Sequence, residues 1–517
     1  HRVSMPINEN YRIQGGKKLA LFNQPLSFYA MASHSSDYSY TEEEIRNMTT
    51  DGTIYQNQQG KKYSGNKSQL ALANVNYTLQ KAHTIAYNFL MLHSTQYYIG
   101  EYFGRQSEKF QDAANDMGFL RRQQINDNAL FVNQLLSKWK IAKQWEMVAD
   151  VSLNQIKGNE PDRRENYLSE RSDGSFGLTG SNRQKRFYSR LTDRDYNAKV
   201  VFDYLLNRHD KGNNSKISFG INSQLSDLFF EAEEYNFSAI SGTLSPDKLL
   251  LDKLYNLANF KINKFAINQG FPSSYSVSKF NKSAFVSGSF QFTPAFSGVA
   301  GLQYDWVTME VSYNVPGQQG SNQINTMFYL PSLHLKYNIN DKHVLRFGAS
   351  KTYTLPQSKE ISPYQYVNIG YTSEGNPNLR YSDNYNLDIK WDQHLSSSEI
   401  LSASLFYKKI LNPIGRMDKG NSAGLLTYDN ISKEADVMGV EVELRKTIYG
   451  TSNEKSGRES NISFGMNASY IFTKATLSLE NTVHRTAALE GASPLIINGD
   501  LTYRFTKNAY NLSSTLM

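Results

Sequence analysis

Four late stretches of this chain alternate apolar and polar residues with a period of two. Leu401, Ala403, Leu405 and Tyr407 share one side of a strand; Ser402, Ser404, Phe406 and Lys408 share the other. Tyr385, Leu387, Ile389 and Trp391 alternate with Asn386, Asp388 and Lys390. Val440, Val442 and Leu444 alternate with Glu441, Glu443 and Arg445, and Leu501, Tyr503 and Phe505 with Thr502 and Arg504. Successive side chains of a strand point to opposite faces. Each strand therefore has an apolar face and a face polar enough to carry several charges. A long succession of them predicts an all-β fold, an antiparallel transmembrane β-barrel in lipid around a watery interior.

The rest of the sequence fits that frame. No run of about 18 apolar residues occurs, so a transmembrane helix is excluded. A barrel strand needs only every second residue to be apolar, which a mean hydropathy of -0.55 permits. The 34 tyrosines and 28 phenylalanines among 517 residues suit a membrane-water interface. Absence of cysteine rules out disulfides and thiolate metal or redox sites. The formal net charge of +7 is spread along the chain among 48 acids. Without a compact basic stripe it argues against nucleic acid; contact with an anionic surface such as outer-membrane lipid and lipopolysaccharide, or simple solubility, explains it equally well.

The expected rhythm is strand, short turn, strand, long excursion. Gln80-Lys81-Ala82, Asn338 to Lys342 and Ser396-Ser397-Ser398 read as tight turns, their Asn, Asp and Ser types tolerating positive φ or bonding their own backbone. Long excursions are expected at His34–Gly60, Gly104–Asn128, Gly158–Lys185, Glu231–Phe271, Pro356–Arg380 and Asn412–Tyr428. Short periplasmic turns alternating with long extracellular loops belong to outer-membrane barrels. The strand count comes to about 17. Helix is expected only inside excursions, at Lys248–Ala258 and at Thr41–Met48, where Thr41 precedes Glu42, Glu43 and Glu44 as an N-cap.

From Leu345 onward the residues do more than alternate. Arg346 to Pro356 leads to Ser362-Pro363-Tyr364, then Gly375-Asn376-Pro377-Asn378-Leu379, then Leu401 to Lys409 with its Phe406-Tyr407-Lys408 ending. Gly439 to Lys446 and Ser493 to Asn498 follow in order. This succession resembles the C-terminal half of the barrel in TonB-dependent outer-membrane receptors, clearly over Pro331–Phe505. The resemblance implies one partial barrel domain over 1–517, with about 17 strands of an expected 22. It implies an active-transport receptor that imports a scarce nutrient with energy from the TonB complex. The family's plug and TonB-contacting segment are not recognisable, so TonB would act through a missing N-terminal segment. His1-Arg2-Val3 and Ser514 to Met517 read as the ends of an internal piece. Other implied partners are a small nutrient ligand of unknown class and a surface lipoprotein.

Catalytic and metal chemistry is not expected. No G-x-x-x-x-G-K-[ST], G-x-S-x-G or H-E-x-x-H occurs. The nine histidines lack metal-ligand spacing, and Glu441 and Glu443 read as a hydrated charge ladder beside Arg445. No cofactor is implied. The Gly375–Leu379 element reads as a structural turn, with Pro377 fixing φ at the return to the strand. Candidate ligand contacts are Tyr364, Tyr366 and Tyr371, whose rings give contact area with a hydrogen-bonding tip for sugars, chelates or peptides. The plainer reading of these tyrosines is loop packing. A passive porin-like barrel is the alternative function.

Overall fold

Period-two alternation pairs into a continuous wall. The computed structural model describes residues 6–49, 52–80, 82–178, 184–206, 215–240, 251–396, 398–419, 425–453, 458–477, 486–507 and 510–516. Its main sheet has 21 strands. Three are short pieces, Phe176–Gly177, Phe265–Gln269 and Thr486–Ala487, which leaves eighteen wall strands running from Glu9–Leu21 to Tyr510–Leu516. Each wall strand pairs antiparallel with the next in sequence.

Register aligns the apolar positions around the wall. Leu335, Phe347, Ile389, Leu405, Val440, Tyr470 and Leu495 are successive partners on seven neighbouring strands. Directly paired residues share a face, so this row faces one way. Leu405 is 54% exposed, whereas Asp392 and Ser402 on the other face are 2% and 3% exposed. The apolar residues thus pave the outside of a wide wall and do not seal a compact core.

Aromatic residues bound this apolar band. Near the short turns, outward-facing Trp145 packs on Tyr204 (4.9 Å) and Phe292 on Phe296 (5.2 Å), while His343 stacks on Trp391 (5.7 Å). Eight residues up the strand from Phe296, Tyr304 meets Tyr329 at 5.4 Å. At about 3.3 Å per residue and a tilt near 40° the two levels are roughly 20 Å apart. That separation suits a band of lipid between two interfacial girdles.

Tight turns close the lower end. The two-residue turn Phe22-Asn23 has φ values of 50° and 58°, the left-handed pair that matches strand twist in a hairpin. At the upper end Thr49–Thr53 and Pro316-Gly317 are also short, while the connections after Gln106, Glu170, Ala239, Thr354 and Leu411 are long.

Several expected excursions are wall. Strands Gln24–Met48 and Ile54–Leu79, of 25 and 26 residues, occupy nearly all of His34–Gly60. Strands His83–Gln106 and Trp145–Glu170 likewise extend into Gly104–Asn128 and Gly158–Lys185. Twenty-five residues extend about 80 Å along the strand, about 60 Å along the axis at that tilt, so these strands continue well above any bilayer. Up there both faces meet water or protein, and the alternation that marks a strand is no longer required. The Thr41–Met48 helix is accordingly absent. Thr41 and Glu42 pair with Lys62 and Lys61, and Glu43 takes an ion pair from Lys62 at 3.4 Å and a hydrogen bond from Tyr102 at 2.9 Å. Cross-strand charge pairing there overrides the helical N-cap signature. Of Lys248–Ala258, residues 248–250 lie outside the described residues. The rest is not one helix but two short ones, Leu251–Leu254 and Leu257–Lys261, with Asn256 capping the second.

Candidate functional site at the outer mouth

Two upper loops fold inward and roof the lumen. They form a separate four-stranded sheet in the order Gln365–Val367, Thr372–Glu374, Leu425–Asn430, Ile414–Asp418, the middle pair being parallel. Hydrogen bonds tie its edge to wall strands on two sides. Gln56 donates to the Ile369 carbonyl (3.3 Å), Asn47 to that of Gly370 and Arg122 to that of Val367 (3.0 Å). On the opposite side the Tyr366 and Tyr275 hydroxyls are bonded at 2.6 Å.

The Gly375–Leu379 element clamps this roof. A Cβ on Gly375 would lie 2.0 Å from the Ser362 carbonyl oxygen, so only glycine fits. The Asn376 amide donates to Glu360 O (2.6 Å), and its side chain donates to Tyr428 O (3.0 Å). Its side-chain oxygen accepts from the Asn378 N–H at 3.0 Å, an Asx turn. Asn322 on the wall donates to the Pro377 carbonyl. The element thus joins a loop helix, a roof strand and the wall.

Beneath the roof lies a buried charge cluster that the loop assignment at Gly104–Asn128 and Gly158–Lys185 concealed. Arg122 and Glu165 are each 3% exposed and paired at 3.4 Å; Arg163 reaches Glu165 at 3.5 Å. Tyr167 donates to Glu165 at 3.0 Å, and the Arg163 guanidinium lies 4.0 Å from the Phe187 ring centre. Arg163, Glu165 and Tyr167 sit at period two, the signal that could have marked them as strand. Burial drives the Glu165 carboxyl upward in pKa, but Arg122, Arg163 and Lys185 outweigh it and hold the group below its ordinary value. A carboxylate depressed on folding stabilises above its unfolded pKa, and that contribution is lost as pH falls through the folded value. The urea midpoint is therefore expected to hold from pH 7 to about 5 and to fall once pH drops below the ordinary glutamate value of about 4.3. Glu165→Gln should flatten that part of the profile; an identical profile in the variant would refute the assignment.

The three candidate tyrosines separate. Tyr364 is 8% exposed, packed edge-on against Phe230 (4.9 Å) and Tyr366 (4.8 Å). Burial pushes its pKa up. Tyr366 is half-buried, bonded to Tyr275 and under Lys359 at 4.5 Å. Tyr371 is 40% exposed, its ring 5.1 Å from the Arg416 guanidinium, which also pairs with Glu490. A cavity of about 270 Å³ opens between roof and wall, with Arg163, Lys185, Glu233, Phe271, Tyr364 and Glu374 in its lining. Its charges are largely internally matched: Lys185 pairs with Glu234 at 3.0 Å and Lys419 with Glu374 at 2.8 Å. Among the described residues no group of three or more His, Cys, Asp or Glu could hold a metal ion. The cavity offers an enclosed space of small-molecule size, and no nucleophile–base pair is evident among its described residues.

Comparison with known proteins places this geometry. A family model described as TonB dependent receptor-like, beta-barrel, matches residues 10–516. Among solved structures, the ferric yersiniabactin uptake receptor of Yersinia pestis is 10% identical with a TM-score of 0.52, covering 99% of this chain and 68% of that one. The outer membrane transporter YddB of Escherichia coli is 14% identical at 0.54, with 96% and 61% covered. A ferric enterobactin receptor mutant from Pseudomonas aeruginosa, in complex with enterobactin, is 11% identical at 0.51, with 98% and 72% covered. At these identities the likeness speaks for the fold alone. The chain spans 61% to 72% of the length of these three proteins. A search of curated protein sequences finds no match.

Proposed function

This chain belongs to the TonB-dependent receptor β-barrel family of the bacterial outer membrane, and we propose from that premise that it is the barrel of an active uptake receptor. It captures a scarce small nutrient outside the cell and delivers it inward with energy from the TonB complex. The observation carrying this reading is the roof, bonded to the wall at Gln56, Arg122 and Tyr275. A passive pore works best with an open mouth; a receptor that captures its cargo needs a shaped, enclosed one. Ferric chelates, for which two structural neighbours are named, are one cargo class. Cobalamin, oligosaccharides and peptides are the others.

Of the aromatic residues at the mouth, Tyr371 beside Arg416 is the proposed cargo contact, because its ring is presented to solvent. Tyr364 and Tyr366 hold the roof together. The test is uptake in cells carrying the whole parent gene, with cargo found by growth on single nutrients. Collapse of the proton gradient is expected to abolish uptake, and uptake that persists would favour the porin-like alternative. Tyr371→Ala should weaken capture about tenfold, the effect of losing one aromatic anchor, with the urea midpoint unchanged. Equal capture by the variant would remove Tyr371 from the site.

A further inference from the structure

The cavity between roof and wall carries an open strand edge. Roof strand Gln365–Val367 stands at the end of its four-stranded sheet and, among the described residues, pairs only with Thr372–Glu374. The Asn368 N–H donates to the Tyr371 carbonyl at 2.9 Å, which makes those two a hydrogen-bonded pair. Bonded and non-bonded pairs alternate along an antiparallel ladder, so Tyr366 and Ser373 form the next bonded pair. Gln365 and Val367 therefore turn their backbone groups to the other side. There the Val367 carbonyl accepts from Arg122 at 3.0 Å. Among the described residues nothing bonds the Val367 N–H or the Gln365 N–H and carbonyl. Both residues line the cavity. An open row of this kind is a template for another extended chain.

The charges around this edge are of both signs and already matched. On the wall, Arg163 is 8% exposed and held by Glu160 and Glu165, and Lys185 pairs with Glu234 at 3.0 Å. On the roof, Glu374 is 6% exposed and takes Lys419 at 2.8 Å. Cargo of one sign would repel one of these groups, whereas cargo carrying both signs finds a partner for each. Size narrows the class further. A three-residue edge is about 10 Å long. The volume of about 270 Å³ falls just below the roughly 300–1,000 Å³ of clefts that hold drug-sized ligands. Exposed Phe271 and buried Pro363 add apolar contact.

We propose, resting on the uptake reading, that the cavity takes a short zwitterionic peptide as an added strand on Gln365–Val367. Its backbone bonds the Val367 N–H and the Gln365 carbonyl. Its carboxylate lies toward Arg163 and Lys185 and its ammonium toward Glu374. Peptide is then the cargo class of this receptor.

The full chain in detergent, titrated with trialanine and separately with N-acetyl-trialanine, tests the proposal without transport. Trialanine should bind, and the acetylated form, which lacks the ammonium, about tenfold more weakly. Val367→Pro removes the edge N–H and spares the ladder with Thr372–Glu374, since proline is tolerated on an edge. It should weaken both peptides about tenfold. Glu374→Gln should bring trialanine down to the acetylated form and leave the latter unchanged. Heat-modifiable migration checks the barrel of each variant, and protease resistance its roof. If Glu374→Gln does not fold, the two peptides compared on the parent carry the charge assignment. Absence of trialanine binding, equal affinity for the two peptides, or equal affinity of Val367→Pro and parent overturns the site. Gradient-dependent uptake of another nutrient would in that case leave the receptor reading standing. Peptide binding together with gradient-independent entry would remove that reading and keep the site.

Discussion

Leu405→Arg is expected to destabilise the folded chain in lipid vesicles by about 2–4 kcal/mol, the cost of a cation on the lipid face of a barrel near its mid-height. Leu405 lies between Ile389 and Val440 in the outward row and is 54% exposed, an exposure that only hydrocarbon makes favourable for so apolar a row. Ser404→Arg, one residue away, should stay within about 0.5 kcal/mol of the parent. Ser404 is opposite Glu441 and donates to it at 3.2 Å, so the new guanidinium meets water and a carboxylate. Urea midpoints of vesicle-reconstituted protein measure both. Equal losses for the two variants would mean that the faces are not lipid and water.

The contrast between neighbouring residues also explains which parts of the fold were readable from sequence. Where the wall crosses lipid, every second residue must be apolar, and strands such as Ile400–Leu411 carry that pattern with no need of tertiary information. The Gly375–Leu379 turn was readable for a different reason, since its residue types encode backbone geometry directly. Above the membrane neither constraint holds. Residues 54–60 include Gln56, Asn57, Gln58 and Gln59, polar on both faces, and they read as loop although they are strand. The roof was hidden more deeply, because a parallel pairing of Thr372–Glu374 with Leu425–Asn430 joins segments some fifty residues apart. No local pattern specifies such a contact. The tyrosine cluster was visible as composition, but burial of Tyr364 and exposure of Tyr371 depend on which wall strand each ring meets.

Arg122→Ala should be the most damaging single change at the mouth. It removes the bond to the Val367 carbonyl and one of the two guanidiniums that hold Glu165 ionised at 3% exposure. Breaking a buried pair by deleting one partner costs about 3–5 kcal/mol, and the Arg163 that remains argues for the lower end. The loss should be local, freeing the roof while the lower wall stays paired, because upper and lower parts of such long strands can open separately. Limited proteolysis is the direct readout: cleavage within residues 355–381 should accelerate on the order of a hundredfold, as about 3 kcal/mol of local opening implies, with the bulk of the barrel intact. The double variant Arg122→Met with Glu165→Met separates the two causes. Apolar replacement of both partners is often close to neutral, so the wall should recover while the roof, still without its Arg122 tether, remains more open than in the parent. A single Arg122→Ala variant as resistant to protease as the parent would show that the roof is held elsewhere.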